Sequence, residues 1–363
     1  MSSNPIIIAS ANSASKSEFV RHDPSGLFYM ACSTPEARSH WTPALSRLNG
    51  TGVPTSSDYF AIFDPSSPSS PARKLRIKNF YDPRGIYVHG LDVVPSSTNP
   101  KELFVYAVNH RPPPPPLDSG KVGADSVIEL FKTTVGGDTL EHLHTIKHSL
   151  IVTPNDIVGS PDGTSFWVTN DHGEKVGFSR IVETYIGKKS SSVVFCDVND
   201  KKHPGGCKIA AGGLRSCNGI AKDPREGDKR FYVVDSLHGE VTILEKQRDN
   251  RLVVTDNFKV GRCLDNVSVD KDGTLYVACK FSFFLLRRFV VLTGFIAWPR
   301  GIDLPNHIQN PANPISASVH KVTINTDKSS FFGEKYKVEK VSNPSSSPSN
   351  KKASPLRSLD IRR

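Results

Sequence analysis

A polar residue opens a short apolar stretch at five places along this chain, and each time a turn and a second apolar stretch follow. The openers lie 71, 66, 63 and 47 residues apart. They are Glu18, His89, Asn155, Asn218 and the doublet Asp265-Asn266. Each unit alternates β-branched or aromatic with polar residues and is bounded by Gly, Pro, Asn and Ser, as strands are. A repeat of this length predicts the blades of a β-propeller, and hence an all-β fold.

Further strand patterns complete the predicted blades. A third strand is predicted after three of the repeat units, at residues 127–131, 192–198 and 241–244. Outer strands are predicted at residues 139–146 and 251–254. No stretch of ten or more residues shows a helical stripe, and only residues 180–186 are predicted to form a short helical turn.

The openers are predicted to meet at the propeller axis, because the innermost strand of each blade runs along the central channel. Three asparagines and two acids there would present hard oxygen donors, which Ca²⁺ prefers. The predicted set is Glu18, Asn155, Asn218, Asp265 and Asn266. A strand doublet such as Asn155-Asp156 either points its side chains to opposite faces or, through a bulge, turns both toward the axis. Zinc is disfavoured, since only histidines would suit it and the openers include just one, His89.

Two histidines are predicted to face each other at one mouth of the channel. His89 opens an inner strand and His110 ends the strand beside it, so adjacent antiparallel pairing brings the two together. A neutral histidine there can take a proton from water, and a second can relay it. The alternative is a structural role for both. No G-x-S-x-G motif offers a competing serine nucleophile.

The charge and cysteine content exclude several function classes. The net charge is +10, but residues 327–363 alone carry nine Lys/Arg against four Asp/Glu. No nucleic-acid-binding motif accompanies this charge, so no nucleic-acid partner is expected. The six cysteines contain no C-x-x-C pair, which argues against thiolate metal binding and leaves both disulfides and buried thiols open.

The chain ends and one apolar stretch bear on domains and location. The N-terminus lacks a signal-peptide pattern, so the chain as written is predicted to be cytoplasmic, and secreted or membrane-associated if its true N-terminus is missing. Residues 281–298 are apolar, but each of the central Arg287 and Arg288 would cost about 2.5–3.5 kcal/mol in a membrane, so no span is expected. Residues 1–340 are predicted to form a propeller hydrolase domain, and residues 341–363 a disordered Ser/Pro/Lys-rich tail.

A set of short motifs in residues 80–270 resembles the paraoxonase/arylesterase family in order and spacing. The motifs are Val88-His89-Gly90-Leu91, Val108-Asn109-His110, Glu129-Leu130-Phe131, His144-Thr145-Ile146-Lys147-His148, Asn155-Asp156-Ile157-Val158, Thr169-Asn170-Asp171-His172, Cys217-Asn218-Gly219-Ile220 and Leu264-Asp265-Asn266-Val267-Ser268-Val269-Asp270. Residues 25–36 are similar to a fungal branch of the same family.

The resemblance implies a six-bladed propeller that holds calcium in its central tunnel. It assigns a catalytic ion to Glu18, Asn155, Asn218, Asp265 and Asn266, a histidine dyad to His89 and His110, and a substrate pocket to Asn170, Asp171 and His172. The implied activity is calcium-dependent hydrolysis of lactones and aryl esters, with phosphotriesters as promiscuous substrates.

Three departures from the family keep other interpretations open. A second, structural ion would use Asp156, the Leu91 carbonyl and an Asp after Glu18, where this chain has Phe19. Residues 281–298 match nothing in the family, and the tail replaces the strands that would close the last blade. These features equally suit misread intron boundaries or a catalytically impaired propeller that serves as a binding module. A strictosidine-synthase-like or gluconolactonase-like propeller explains His89 and His110 less well.

Overall fold

The computed structural model describes residues 16–22, 24–52, 58–200, 206–261, 264–279, 318–324 and 335–342. The apolar stretch at 281–298 and residues 343–363 of the predicted tail lie outside the described residues, as do the side chains of Glu18 and Phe19. Among the described residues, no helix combines the length and apolarity that crossing a membrane would require.

Five sheets of the described chain, antiparallel except for one pair of strands, are arranged as the blades of a β-propeller, which confirms the predicted fold class. Blade 1 contains β1 (Lys16–His22), β2 (Leu27–Ser33), β5 (Tyr59–Phe63) and β6 (Arg73–Lys74). Blade 2 contains β7 (Arg76–Lys78), β8 (Val88–Pro95), β9 (Glu102–Arg111), β10 (Asp125–Thr134) and β11 (Thr139–Ile146). Within blade 2, β7 pairs in parallel with the outer edge of β11.

The other three blades each contain four consecutive strands in the order in which the chain makes them. Blade 3 has β12 (Pro154–Gly159), β13 (Ser165–Asn170), β14 (Ser191–Asp197) and β15 (Cys207–Leu214); blade 4 has β16 (Cys217–Lys222), β17 (Arg230–Asp235), β18 (Glu240–Lys246) and β19 (Leu252–Lys259); blade 5 has β20 (Leu264–Val269), β21 (Leu275–Cys279), β22 (Ser318–Ile324) and β23 (Tyr336–Ser342). The third and outer strands therefore form where the sequence predicts them. A sixth blade stays a prediction.

The blades are held together by apolar side chains packed between neighbouring sheets. The Trp167 ring of blade 3 lies 5.0 Å from the Phe231 ring of blade 4. Similarly, Tyr106 of blade 2 lies 6.0 Å from Phe166 of blade 3. Full burial of each such side chain contributes about 1.5–3 kcal/mol, so the wedges between blades supply most of the core. Cys196 and Cys207 form a disulfide between β14 and β15, whereas Cys32, Cys217 and Cys279 are buried free thiols.

The inner strands of blades 2 to 5 share an irregularity at the predicted openers. The antiparallel register shifts between Val88 and Leu91, Pro154 and Ile157, Cys217 and Ile220, and Leu264 and Val267. Each opener thus lies in a bulge, where the strict alternation of side chains between faces is relaxed. The doublets Asn155-Asp156 and Asp265-Asn266 both lie in such bulges, and whether both side chains of a doublet turn toward the axis stays a prediction.

Two glycines allow the inner strands to approach closely. A Cβ on Gly90 would lie 2.4 Å from the Asn155 carbonyl oxygen. A Cβ on Gly219 would lie 2.7 Å from the Asn266 Cα. Such contacts are shorter than side-chain carbons tolerate, so only glycine fits at either position. Each glycine directly follows an opener, and the openers of adjacent blades are therefore packed against each other along the axis.

One insertion breaks the repeat. Between β2 and β5 the chain forms helix α1 (Pro35–His40), β3 (Trp41–Thr42), β4 (Arg47–Leu48) and two short 3₁₀ turns, all lying over blade 2. Residues 34–52 are called the cap below. Helix α1 begins at Thr34, whose hydroxyl accepts a hydrogen bond from the Ala37 amide, with Pro35 in its first turn.

Two further helices interrupt the strands, α2 (Ser119–Val122) and α3 (Gly177–Ile186). The sequence predicts only a short turn at residues 180–186, and the helix is longer. Helix α3 ends at Gly187, which adopts the left-handed conformation. Phe178, Ile181, Val182 and Tyr185 stand at helical spacing, so the prediction that no ten-residue stretch carries a helical stripe is wrong at this helix. The residues that it buries, Arg180 and Glu183, are nevertheless polar.

Candidate active site

The two predicted histidines meet at the end of blade 2. The Nδ1 atom of His89, in the β8 bulge, lies 3.0 Å from Nε2 of His110, near the end of β9. His110 is 5% exposed, and its Nδ1 lies 2.8 Å from the Ser126 hydroxyl on β10. Three adjacent strands thus contribute one member each to a continuous hydrogen-bonded row.

The backbone around His110 is fixed by two aromatic neighbours. Trp41 of the cap donates its indole N–H to the His110 carbonyl at 2.6 Å. The His110 amide donates to the Tyr87 carbonyl at 2.9 Å, and the rings of Trp41 and Tyr87 lie 6.2 Å apart. Because these contacts hold the main chain on both sides of the residue, the His110 ring has a defined direction toward His89.

The surroundings of His110 favour its neutral form. Burial lowers the pKa of His110 well below its usual value, and the positive charges of His89, Arg38 and Arg180 lower it further against the opposing effect of Asp171. A neutral imidazole has one nitrogen free to accept a proton. At neutral pH, His110 is therefore neutral and has one ring nitrogen that can accept a hydrogen bond.

A network of ion pairs anchors the strand ends that carry His110 and Ser126. Arg111 contacts Asp82 at 2.7 Å and Asp125 at 2.9 Å, and Arg84 contacts the same two acids at 2.8 and 2.7 Å. Burial opposes ionisation of Asp125, but hydrogen bonds from Lys147 and Arg84 and the charge of Arg111 lower its pKa to about 2. The charged network directly follows His110 and precedes Ser126, so it sets the spacing between them.

Two small clefts open beside the histidines. The first is lined by His89, His110, Asp58 and Tyr87 together with the cap residues Arg38 and Trp41. The second also borders His110 and is lined by Ser126, Asp171, Lys175 and Arg180. The cap residues Pro43 and Ala44 border both clefts. A substrate in either cleft would therefore contact both the histidine row and the cap.

The three predicted pocket residues have different surroundings. Asp171 lines the second cleft, and its Oδ1 lies 2.8 Å from His172 Nδ1. His172 continues through Nε2 to the Thr184 hydroxyl at 3.0 Å, which ties it to α3. Asn170 is 2% exposed; its Oδ1 accepts the Val152 and Thr153 amides, and its amide nitrogen donates to Leu150 and Ser192. Only Asp171 of the three borders a cleft, and Asn170 holds the loop before β12.

Four of the predicted metal ligands, Asn155, Asn218, Asp265 and Asn266, lie in the bulges of the inner strands. The Asn155 side-chain oxygen is buried and has no hydrogen-bond partner among the described residues. Burying an amide oxygen without a hydrogen-bond donor or a metal ion beside it lowers the stability of the fold. Close by, the Thr169 hydroxyl hydrogen-bonds to the Asn218 carbonyl at 2.7 Å, which joins blades 3 and 4 near these two asparagines. Asp265 and Asn266 lie in the adjacent bulge of blade 5.

Asp156 differs from its neighbour Asn155. One oxygen of Asp156 accepts the amide of Ile157 and the other accepts the amide of Ile220, both at 2.9 Å. The carboxylate thus connects the inner strands of blades 3 and 4 directly. Leu91, the predicted carbonyl ligand, lies at the end of the β8 bulge.

The amide-rich axis set is unlike a common metal cluster. Among the residues whose side chains are described, no group of three or more His, Cys, Asp or Glu is arranged to hold a metal ion. The predicted set contains Asn155, Asn218 and Asn266, whose amide oxygens belong to the ligand chemistry of calcium rather than zinc. With the orphaned Asn155 oxygen, these donors fit a hard cation.

Comparison with known proteins decides the family. The sequence model of the arylesterase family matches residues 52–292, more than half of the chain. The chain belongs to the arylesterase family. The match includes the histidine row and the openers of blades 2 to 5, whereas Glu18 and most of the cap precede it.

Curated relatives agree with the family assignment. The chain is 31% identical over 209 residues to serum paraoxonase/arylesterase 2 of Homo sapiens, with 57% of this chain and 53% of that protein covered. It is 29% identical over 220 residues to serum paraoxonase/lactonase 3 of Rattus norvegicus, with 60% and 56% covered. The chain therefore spans about half the length of the curated relatives it matches.

Solved structures overlap only loosely. A luciferin-regenerating enzyme matches at TM-score 0.41 and 14% identity, covering 76% of this chain and 73% of its own. A periplasmic gluconolactonase of Pseudomonas aeruginosa matches at TM-score 0.40 and 10% identity, covering 94% and 81%. At these scores the overlap adds nothing to the assignment.

Several residues of the site had no signal in the opener repeat. Ser126, Trp41, Arg38 and Arg180 do not recur from blade to blade, because each belongs to a third strand, the cap or α3. The Thr34-Pro35 pair is a helix-start signal that could have revealed α1. Nothing in the sequence pattern places the cap over blade 2.

Proposed function

We propose that this chain hydrolyses lactones and aryl esters, with His89 as general base and His110 as its proton relay. The observation that carries the proposal is the hydrogen-bonded row from His89 through His110 to Ser126 beside a cleft. Family membership and relatives named as arylesterases and lactonases support the same reaction class.

The row defines a direction of proton transfer. When the His110 Nδ1–H donates a hydrogen bond to the Ser126 hydroxyl, His110 Nε2 can accept one from the Nδ1–H of His89. The remaining ring nitrogen of His89, Nε2, is then an acceptor. A water molecule in the first cleft would give its proton to that nitrogen while its oxygen attacks the ester carbonyl. The lowered pKa of His110 keeps this arrangement available at neutral pH.

We propose further that one calcium ion is held by Glu18, Asn155, Asn218, Asp265 and Asn266. The buried, unpartnered oxygen of Asn155 and the convergence of the glycine-spaced bulges support this assignment. When bound there, calcium would supply positive charge that stabilises the carbonyl oxygen as it becomes an oxyanion. The proposal includes one ion only, because Phe19 stands where the second site needs an acid and Asp156 already accepts two backbone amides.

The test is hydrolysis of phenyl acetate and δ-valerolactone by the purified chain, before and after chelation and after calcium is restored. We expect the wild-type chain to hydrolyse both substrates, to lose this activity on chelation and to regain it when calcium is restored. His89→Gln should be inactive under all three conditions. Folded protein that hydrolyses neither substrate at any calcium concentration would contradict the hydrolase and favour a binding module. Phosphotriesters such as paraoxon are expected to react more slowly than either ester.

A further inference from the structure

The cap places a positive charge beside the histidines. Arg38, on α1, lines the first cleft together with His89 and His110. Its side chain is half-buried, and its Nε is fully buried without a hydrogen-bond partner among the described residues. A partly desolvated guanidinium that lacks such partners costs free energy, so the cleft that it lines suits an anionic ligand.

The other charges near the clefts already have partners. Arg180 donates to the carbonyls of Pro43, Ala44 and Glu174 and lies 3.9 Å from Asp171. Lys175 donates to the Ala124 carbonyl at 2.9 Å. These two cations therefore hold the cap and the loops together. Arg38 differs from both, because its guanidinium makes no such contact within the described chain.

Asp58, the acid that shares the first cleft with Arg38, is held by contacts to other groups. Asp58 accepts the Ser33 hydroxyl at 2.7 Å and the Val88 amide at 2.9 Å through one oxygen, which binds it to blades 1 and 2. No ion pair joins Asp58 and Arg38 in the described structure. The positive charge of Arg38 does reach the dyad, since it contributes to the lowered pKa of His110. A planar guanidinium in a partly desolvated cleft is the side chain best suited to bind a carboxylate.

We propose that Arg38 selects esters and lactones that carry a carboxylate substituent. This inference rests on the proposed hydrolase function and names a substrate class for it. Arg38 is a specificity residue here: it binds the substituent, while His89 and His110 act on the carbonyl. It precedes residues 52–292, so the match to the family includes neither Arg38 nor α1.

A matched substrate pair tests the proposal. 4-Acetoxybenzoate and its methyl ester share the scissile acetyl ester and the acetate product, and differ in one negative charge. We expect the ratio of their kcat/KM values to fall about tenfold in Arg38→Gln, mainly through KM for the charged substrate. Arg38→Lys should keep part of the preference, because the charge remains without the planar fork. Arg76→Gln, which removes an exposed cation at the outer edge of blade 2, should leave the ratio unchanged.

The outcomes separate the subsite from the hydrolase. An unchanged ratio in Arg38→Gln, or an equal loss with both substrates, would overturn the specificity role. If the wild-type chain hydrolyses neither ester, calorimetric titration with benzoate and with benzamide decides the question. Binding of benzoate alone, lost in Arg38→Gln, would retain the carboxylate site while the hydrolase proposal fails. No binding of benzoate would remove the site as well.

Discussion

The axis and the cap contribute differently to the same site. The axis is made by repetition: four inner strands place a polar opener in the same bulge, and glycines at 90 and 219 let neighbouring strands touch. The cap is made once, from residues 34–52, and is held by single contacts such as the indole of Trp41 on the His110 carbonyl.

This difference suggests a division of labour. Groups on the axis are positioned by strands that pack on both sides, so they suit chemistry that needs fixed geometry. Groups on the cap are joined to the propeller by few hydrogen bonds, and a change there alters what enters the cleft without disturbing the inner strands. We therefore expect axis variants to affect catalysis or folding, and cap variants to affect substrate preference.

The largest expected effect concerns the histidine row. His89→Gln should lower kcat by about 10²–10⁴-fold, because it removes the proposed general base, and should leave the melting temperature close to that of wild type. Initial-rate assays with phenyl acetate measure kcat, and a thermal melt measures the melting temperature. If His89→Gln retained more than a tenth of the wild-type rate, the chemistry would not reside in this row.

The next effect concerns the close packing at the axis. Gly90→Ala should destabilise the fold by about 1–3 kcal/mol, because its Cβ would overlap the Asn155 carbonyl oxygen. Urea unfolding of Gly90→Ala beside Gly212→Ala provides the comparison. The latter is a matched control, since a Cβ on Gly212 would lie an ordinary 3.6 Å from Ile209. Equal stabilities of the two variants would show that the inner strands are not packed as described.

A smaller expected effect is that the charge of Arg38 in the cap changes the pKa of His110 in the histidine row. Because burial and nearby positive charges lower the pKa of His110, the histidine stays neutral below its unperturbed pKa of about 6.5. Protonation of His110 should accordingly occur below that pH, and Arg38→Gln should raise the pKa of His110 by removing one of the charges. NMR titration of the His110 ring protons from pH 4.5 to 8, in wild type and in Arg38→Gln, would show it. A pKa of His110 that falls in Arg38→Gln would contradict the electrostatic account.

The same contrast explains what the sequence could predict. The spacing and type of the openers were enough to predict the inner strands. The same pattern recurs in five units, and agreement over five units is improbable by chance. The antiparallel neighbours His89 and His110 followed from strand order alone. The predicted roles of Asn155, Asn218 and Asp265 as ligands stay predictions, although their strands converge as expected.

What the sequence could not supply lies mostly outside the repeat. Arg180 became important only because a ten-residue helix places it against Pro43 and Ala44, about 136 positions earlier in the chain. Ser126 became part of the row because of strand pairing between β9 and β10. Both depend on contacts distant in sequence, which no local pattern records. Asn170 was assigned to the substrate pocket by its motif, whereas its hydrogen bonds hold main-chain amides.

The central claim is that the axis binds calcium, and direct titration tests it most simply. Chelated, calcium-free chain would be titrated with calcium by calorimetry, beside Asn155→Ala and the control Asn250→Ala, which alters an asparagine in the β18–β19 turn. We predict one calcium per wild-type chain, an unchanged Asn250→Ala, and binding weakened at least about tenfold in Asn155→Ala through loss of one oxygen ligand. Wild-type protein that binds no calcium, or Asn155→Ala that binds it equally well, would contradict the account.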